Sequence, residues 1–316
     1  NDVFPKKMIL GFNRLENLRY GENPHQKGAI YSSPRGLGLN QLSGKQLSYN
    51  NYVDIFSALQ ISKTFPKNIG TVIIKHGNPC GVSINKNNID SFMLAYKADP
   101  LSAFGGIISC NFNINRKIAK ELNKLFFEAI IGNSFDKDAL LILKKKKNVR
   151  IINSKNYRIS NKKNLISNMD FVLTQDPDIK NLKFKDFKVV SKIKPSKKTF
   201  KNLIFAFNIC RFVKSNAIVL TNENSTIGIG SGQPSRLDSC DVAIKKMKKF
   251  QNINNKEILA ASDAFFPFVD GIEKLVQNGV SGIIQPSGSI RDNEIINFAN
   301  KTDTILVFSK SRHFKH

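Results

Sequence analysis

Apolar and polar positions follow two different periods along this chain. Short, mostly apolar runs occur at Val72–Ile74, Ile107–Cys110, Ala129–Gly132, Ala217–Thr221, Ile258–Ala261, Ser281–Ile284 and Thr304–Phe308. Runs of that length without polar alternation are what strands covered on both faces require. Between them lie stretches with apolar residues at helical spacing. One leads from Gly44–Asp54 to about Phe65, with Val53, Phe56, Leu59 and Gln60 in step; others span Ile89–Ala98, Arg116–Phe127, Asp136–Lys146, Thr199–Val213, Cys240–Phe250, a segment ending at Asn278, and Asn293–Asn300. Strand and helix in alternation predict an α/β layered fold. Residues 153–200 are polar, rich in Lys and Asn, and broken by Asp176-Pro177 and Pro195, so short or irregular elements are expected there. The chain then divides into a first unit at 1–175, a connecting segment at 176–200 and a second unit at 201–316.

Composition narrows the class. With 41% hydrophobic residues over 316 positions, a large core can form, and no apolar stretch approaches the roughly 18 residues of a membrane span. Four scattered cysteines, Cys80, Cys110, Cys210 and Cys240, form no C-x-x-C and no disulfide framework, which points to the reducing cytoplasm. The net charge of +25 invites a nucleic-acid reading, but about four-fifths of the basic residues are Lys, in runs with little aromatic interleaving. Such runs read as solvated faces, so no nucleic-acid partner is expected; the field still favours anionic substrates. The N-terminus lacks a signal-peptide pattern, and the missing initiator Met is that of a trimmed or internal fragment.

Candidate chemistry begins at Lys75–Gly81, K-H-G-N-P-C-G, directly after the Val72–Ile74 run. A strand ending in Lys-His and then turning through Gly, Asn-Pro and Gly brings two ionisable groups to a sheet edge, where α/β folds bind ligands. Only four histidines are present, His25, His76, His313 and His316, so a general base titrating near neutrality has few candidates. Taken alone, such a pair reads as a solvated strand end. Four further stretches alter that reading. L-R-Y-G-E-N-P-H-Q, Leu18–Gln26, combines an Arg with a turn. D-P-L-S-A-F-G-G, Asp99–Gly106, enters a strand through two glycines. T-I-G-I-G-S-G-Q-P-S-R, Thr226–Arg236, has spacing too poor for a dinucleotide fingerprint, but reads as a Gly-rich loop ending at a helix N-terminus with an Arg, suited to an anion. S-D-A-F-F-P-F-V-D-G mixes rings with Asp263 and Asp270, while Asn51 and Asp54 either cap the first helix or face a ligand.

These motifs, with V-K-S-N-A, P-S-G-S-I-R-D and the terminal R-H-F-K-H, resemble AICAR transformylase in the family's order from about Leu18 to His316. In that family the transformylase is joined to an IMP cyclohydrolase half; nothing here resembles that half, which is expected in the same or a separate chain. The resemblance implies two cytidine-deaminase-like α/β/α subdomains in three layers. It also implies formyl transfer from 10-formyltetrahydrofolate, a co-substrate, to the 5-amino group of AICAR, without a catalytic metal, in a homodimer with shared sites. Residue by residue it implies catalytic roles for Lys75, His76 and Asn216. Arg19, Tyr20, Gly105, Glu128, Arg236 and Arg312 would contact the nucleotide, and Phe265, Asp270, Ser289 and Ile290 the folate. The sequence departs from the commoner pattern at Gly77, Pro234 and Asn208, the last standing where Lys is more usual.

Two rival readings come from other classes. Pro79-Cys80 resembles the P-C-x-x-C of zinc deaminases, but position 83 is Ser and no H-x-E precedes it. A basic nucleic-acid-binding protein is motivated by charge alone.

Overall fold

The apolar runs form the centre of one large sheet, in a computed structural model that describes residues 4–159, 163–168, 170–180, 182–252, 254 and 256–316. A ribbon of β1 (Asn13–Leu18) and β2 (Gly28–Ser32) precedes a first unit. That unit runs β3 (Asn40–Ser43), α1 (Tyr49–Ser62), β4 (Gly70–Lys75), β5 (Asn78–Ile84), α2 (Asn88–Ala98), α3 (Pro100–Ala103) and β6 (Ile107–Cys110). It continues with β7 (Asn113–Ile114), α4 (Arg116–Asn123), β8 (Ala129–Gly132), β9 (Ser134–Phe135), α5 (Lys137–Leu143) and β10 (Arg150–Asn153). A separate ribbon, β11 (Asn164–Ser167) and β12 (Val172–Gln175), leads to the second unit. This is β13 (Phe187–Val189), α6 (Lys197–Cys210), β14 (Ile218–Asn222), β15 (Ser225–Gly230), α7 (Arg236–Phe250), β16 (Ile258–Ser262), α8 (Asp270–Gln277), β17 (Val280–Pro286), α9 (Asp292–Lys301) and β18 (Ile305–Ser309).

Among the described residues twelve strands join in the order β13-β18-β17-β16-β14-β15-β5-β4-β6-β8-β10-β3. Read outward from the centre, the two units repeat one plan. An antiparallel hairpin (β5-β4, β15-β14) is followed by an antiparallel neighbour (β6, β16), two parallel strands (β8-β10, β17-β18) and an antiparallel edge (β3, β13). They meet where β15 pairs antiparallel with β5, Ser225 opposite Ser83. Helices cover both faces. Val72 and Ile74 pack with Ile55 and Leu59 of α1, in a core continuous with Leu203 and Phe207 of α6. Ile73 faces the other way, toward Phe92 of α2 and Ile118 of α4. Ile218 and Leu220 face Ala243 of α7 and Leu275 of α8 in the matching core of the second unit. With both faces covered, these strands have no place for polar alternation.

Several boundaries differ from expectation for local reasons. Helix α1 stops at Ser62 because Phe65-Pro66 follows, and its buried face carries Ile55, Ala58, Leu59 and Ser62, while Val53 is exposed. The turn expected across Lys75–Gly81 shrinks to His76 and Gly77. Pro79, Cys80 and Gly81 belong to β5, where a bulge opposite Ile73 and Ile74 accommodates the proline. The Gly-rich loop expected over Thr226–Arg236 is mostly the buried strand β15. Its glycines answer to a neighbour: a β-carbon at Gly230 would lie 1.9 Å from the Ser239 carbonyl oxygen, and one at Gly228 2.3 Å from that of Ala243, both in α7. Gly81 meets α2 in the same way, 1.8 Å from the Ala95 carbonyl oxygen. Only Ser231–Ser235 remain a loop, and Ser235 caps α7 by accepting from the Leu237 N–H at 3.1 Å.

That close approach generates a prediction. Gly81→Ala and Gly230→Ala force a helix away from the sheet and should each destabilise by about 1–3 kcal/mol, as other overpacked cores do. Gly11→Ala, with nothing within 4 Å of the added carbon, should be silent. Thermal melts of the three variants check this; unchanged melting for both Gly81→Ala and Gly230→Ala would contradict the packing account.

Candidate active site

Strand register brings the implied site residues to one edge of the sheet. Ile74 lies opposite Ile107, which lies opposite Ala129, which lies opposite Arg150, so Lys75, Gly105, Glu128 and Arg150 emerge side by side. In the second unit Ile218 lies opposite both Gly230 and Ser262, Ala261 opposite Ile284, and Pro286 opposite Ser309. Asn216, Arg236, Phe265, Asp270, Ser289, Ile290 and Arg312 therefore leave that same edge, because β5 and β15 run antiparallel. The edge collects carboxyl ends of β4, β16, β17 and β18 but amino ends of β6, β8, β10 and β14. The carboxyl-end rule thus describes half of it.

The first cluster is built around the hairpin turn. Lys75 is half-buried, and its Nζ donates to the Gly105 carbonyl at 2.9 Å. His76 is exposed, with φ +50, and Gly77 follows with φ +73. Two left-handed residues in succession make the turn type that suits a twisted two-residue hairpin, and Gly fills the second place without strain. For His76 the conformation costs roughly 1–2 kcal/mol, so something must hold it. Asp54 of α1 supplies a contact: its Oδ1 accepts the Gly77 N–H at 2.6 Å. Burial raises the Asp54 pKa above the ordinary carboxylate value, outweighing the backbone N–H groups of Gly77 and His76 and the nearby charges of His76 and Lys75.

Glu128 accepts from Asn51 Nδ2 at 2.8 Å and lies 3.6 Å from Arg150 Nη1. Arg19 donates to the Tyr20 hydroxyl at 2.9 Å, its guanidinium 4.7 Å above the Tyr20 ring. Burial lowers the pKa of Arg150, with the Arg19 charge acting in the same direction and Glu128 and Tyr20 opposing. Arg19, Tyr20, Glu128 and Arg150 are thus electrostatic neighbours, a basic corner suited to an anion. Sequence reasoning missed Arg150; its only signal was a charge opening an apolar run. Asn51 both completes the Ser48 capping box and braces Glu128.

The second cluster centres on Asn216. Its Nδ2 donates to the carbonyls of Gln233 (2.9 Å) and Pro234 (2.8 Å), and its Oδ1 accepts from Arg236 Nη2 at 2.8 Å. Arg236 is itself engaged by the fully buried Asp263 and by Ser262 Oγ at 2.7 Å. Asp263 also accepts from Ser215 Oγ at 2.6 Å. The tail is held rather than frayed: the Lys315 carbonyl accepts the Ser215 N–H, the Lys315 N–H donates to Ser215 Oγ, and buried His313 meets Asp178 at 2.5 Å. Arg312 stays exposed, 4.6 Å above the Phe314 ring. Phe265 is exposed on the loop after β16 and Asp270 is exposed at the start of α8, while half-buried Ser289 and fully exposed Ile290 lie on the loop after β17. Asn78 joins the clusters by accepting the Lys214 N–H at 3.1 Å.

Of the departures from the family pattern, Gly77 completes the hairpin turn, Pro234 offers a carbonyl to Asn216, and Asn208 accepts from Arg211 at 3.1 Å. Cys80, the residue behind the zinc reading, is buried in β5 with its thiol pushed up to about 12 by burial. Among the described residues no group of three or more His, Cys, Asp or Glu is arranged to hold a metal, and no helix is long and apolar enough to cross a membrane.

Comparison with known proteins gives the chain its relatives. Residues 1–246 match the family described as AICARFT/IMPCHase bienzyme. Along its whole length the chain is 44% identical to the bifunctional purine biosynthesis protein PurH of Buchnera aphidicola subsp. Schizaphis graminum. It is 40% identical to the proteins of that name from Persephonella marina and Aquifex aeolicus, again over the whole chain. It spans 61–62% of the length of these three relatives. A match of this breadth leaves one conclusion: the chain belongs to the AICARFT/IMPCHase bienzyme family.

Proposed function

We propose that this chain transfers the formyl group of 10-formyltetrahydrofolate to the 5-amino group of AICAR, giving formyl-AICAR and tetrahydrofolate in purine biosynthesis. The observation that carries the reading is the Lys75–His76 hairpin, with Lys75 tied to Gly105 at 2.9 Å and His76 exposed beside it. The aromatic amine is a weak nucleophile that must lose a proton as it attacks. Neutral His76 takes that proton, directly or through the neighbouring carboxamide. The new C–N bond turns the formyl oxygen into an oxyanion, which the Lys75 cation stabilises. Collapse re-forms the carbonyl and breaks the bond to folate N10, which leaves protonated with Lys75 assisting. Asn216, held by three internal hydrogen bonds, orients the reacting groups. Arg19, Tyr20 and Arg312 hold the phosphate, and Gly105, Glu128 and Arg236 the rest of the nucleotide. Phe265, Asp270, Ser289 and Ile290 line the folate side.

The repeated strand plan supports reading each unit as a cytidine-deaminase-like α/β/α subdomain, within the division 1–175, 176–200 and 201–316. Four free, buried cysteines suit a cytoplasmic protein. The bifunctional names of the relatives support an IMP cyclohydrolase partner domain, in the same or a separate chain.

Geometry also supports a homodimer with shared sites. Arg19 neighbours Arg150 at the start of β10, whereas the tail carrying Arg312 folds back so that the His313 N–H donates to the Asp263 carbonyl just after β16, seven strand positions from β10. At about 4.8 Å per strand that separation is roughly 30 Å along the edge, too far for one phosphate to touch both. If both arginines hold the same phosphate, they come from different subunits.

Three outcomes follow. His76→Ala and Lys75→Ala should each lower kcat by about 10²-fold or more with AICAR affinity by calorimetry nearly unchanged; normal turnover in either removes that residue from the mechanism. Mixing His76→Ala with Arg312→Ala chains under subunit exchange should restore roughly a quarter of wild-type activity, since half the dimers carry one intact site. No recovery despite exchange places both residues in the site of one chain. Dialysis against a zinc chelator should leave turnover intact, because a buried thiol such as Cys80 is a poor zinc ligand; loss restored by zinc alone would revive the deaminase-like reading.

A further inference from the structure

Asp54 is a carboxylate on a helix that does not need it. The start of α1 is satisfied by Ser48 and Asn51, whose side chains exchange bonds with each other's backbone N–H groups. Asp54, one turn further along, points instead under the β4–β5 hairpin. Its Oδ1 accepts the Gly77 N–H at 2.6 Å, and the His76 N–H is directed at the same carboxylate. These two amides belong to the two left-handed residues of the turn. The charged or titratable groups that face Asp54 are His76 and Lys75 on the hairpin and the Cys80 thiol on β5.

We propose that Asp54 is the positioning residue of the hairpin, fixing the left-handed turn so that His76 leaves the sheet edge in one direction. Without an acceptor beneath it, a two-residue turn carrying a β-carbon at φ +50 has an unstrained alternative with the imidazole elsewhere. A group displaced by about 1 Å from its reacting partner can lose on the order of 10²-fold in rate. The carboxylate is also held where the fold disfavours its charge, as functional sites often require. Its folded pKa is raised, so the stability linked to it is full below the unfolded value and is lost as pH rises through the folded value. Ionising Asp54 therefore weakens the fold relative to its protonated form.

The inference rests on His76 acting in the formyl transfer proposed above, and the test separates the two. Asp54→Asn keeps an oxygen at the same reach but no charge; Asp54→Glu keeps the charge but moves the acceptor by one methylene. Asp54→Asn should retain kcat within about threefold and melt no lower than the wild type at neutral pH. Asp54→Glu should lose on the order of 10²-fold in kcat with calorimetric AICAR affinity unchanged. The Gly77 amide proton, shifted downfield by its short bond in wild-type NMR spectra, should stay downfield in Asp54→Asn and move upfield in Asp54→Glu. Equal turnover in both variants, or a poor Asp54→Asn with the Gly77 shift retained, overturns the positioning role. A fully active His76→Ala removes His76 from the mechanism on which the inference rests, and a wild-type chain that releases no tetrahydrofolate overturns the formyl-transfer reading; the Gly77 shift reports the turn independently of both.

Discussion

Everything at the sheet edge depends on the seam between β5 and β15. Two open sheets joined there become one only if the strands approach within hydrogen-bonding distance while α2 and α7 press on them from one face. Glycine at positions 81, 228 and 230 removes the β-carbons that would block those helices. Val82 N–H donates to Thr226 Oγ1 at 2.9 Å, and the Ile84 N–H to the Asn224 carbonyl at 2.9 Å. Across the helices Lys246 of α7 reaches Asp99, after α2, at 2.8 Å, and Gln251 reaches the Lys97 carbonyl at 2.7 Å. Burial works against the Asp99 carboxylate, but Lys246 and Ser102 together hold its pKa below the usual range. Because the seam is antiparallel, the end of β4 and the beginning of β14 share an edge, and Asn78, after the Lys75–His76 turn, accepts the Lys214 N–H of the loop leading to Asn216.

The sequence shows its local causes well and its distant ones poorly. Val72–Ile74 was legible as a buried strand because all three side chains are covered, alternately from the α1 side and the α2 side. The glycines of Thr226–Gly230 misled for the opposite reason. Their absent side chains answer to Ser239 and Ala243 on a helix yet to come, not to a bound anion. Val53 and Phe56 share a helical stripe with Tyr49 and Tyr52, but that stripe meets Leu18, Ala29 and Ile30 of the β1–β2 ribbon, and Tyr52 packs against the main core as well. Periodicity cannot tell one apolar partner from another.

For the site, the motifs supplied identities and the fold supplied relations. Register explains why residues as distant as Glu128 and Ser289 leave one edge. It does not make one pocket of them: Arg19 and Arg312 end up far apart, which is the physical motive for proposing a dimer. Arg150 carried no motif signal and Asp54 was legible only as a cap or a ligand-facing carboxylate, because each answers to a partner distant in sequence, a turn 23 residues away for Asp54 and the Glu128 carboxylate, 3.6 Å off in space, for Arg150. The net charge of +25 comes mostly from lysines, whereas the Arg236 side chain is held against Asp263 and Ser262.

The most direct measurement gives the purified chain AICAR and 10-formyltetrahydrofolate and follows tetrahydrofolate spectroscopically, with formyl-AICAR identified by mass. The account requires both products to appear in equal amounts, at a rate proportional to enzyme and dependent on both substrates. A chain that binds AICAR but releases no tetrahydrofolate, under conditions where a family relative turns over, would contradict it.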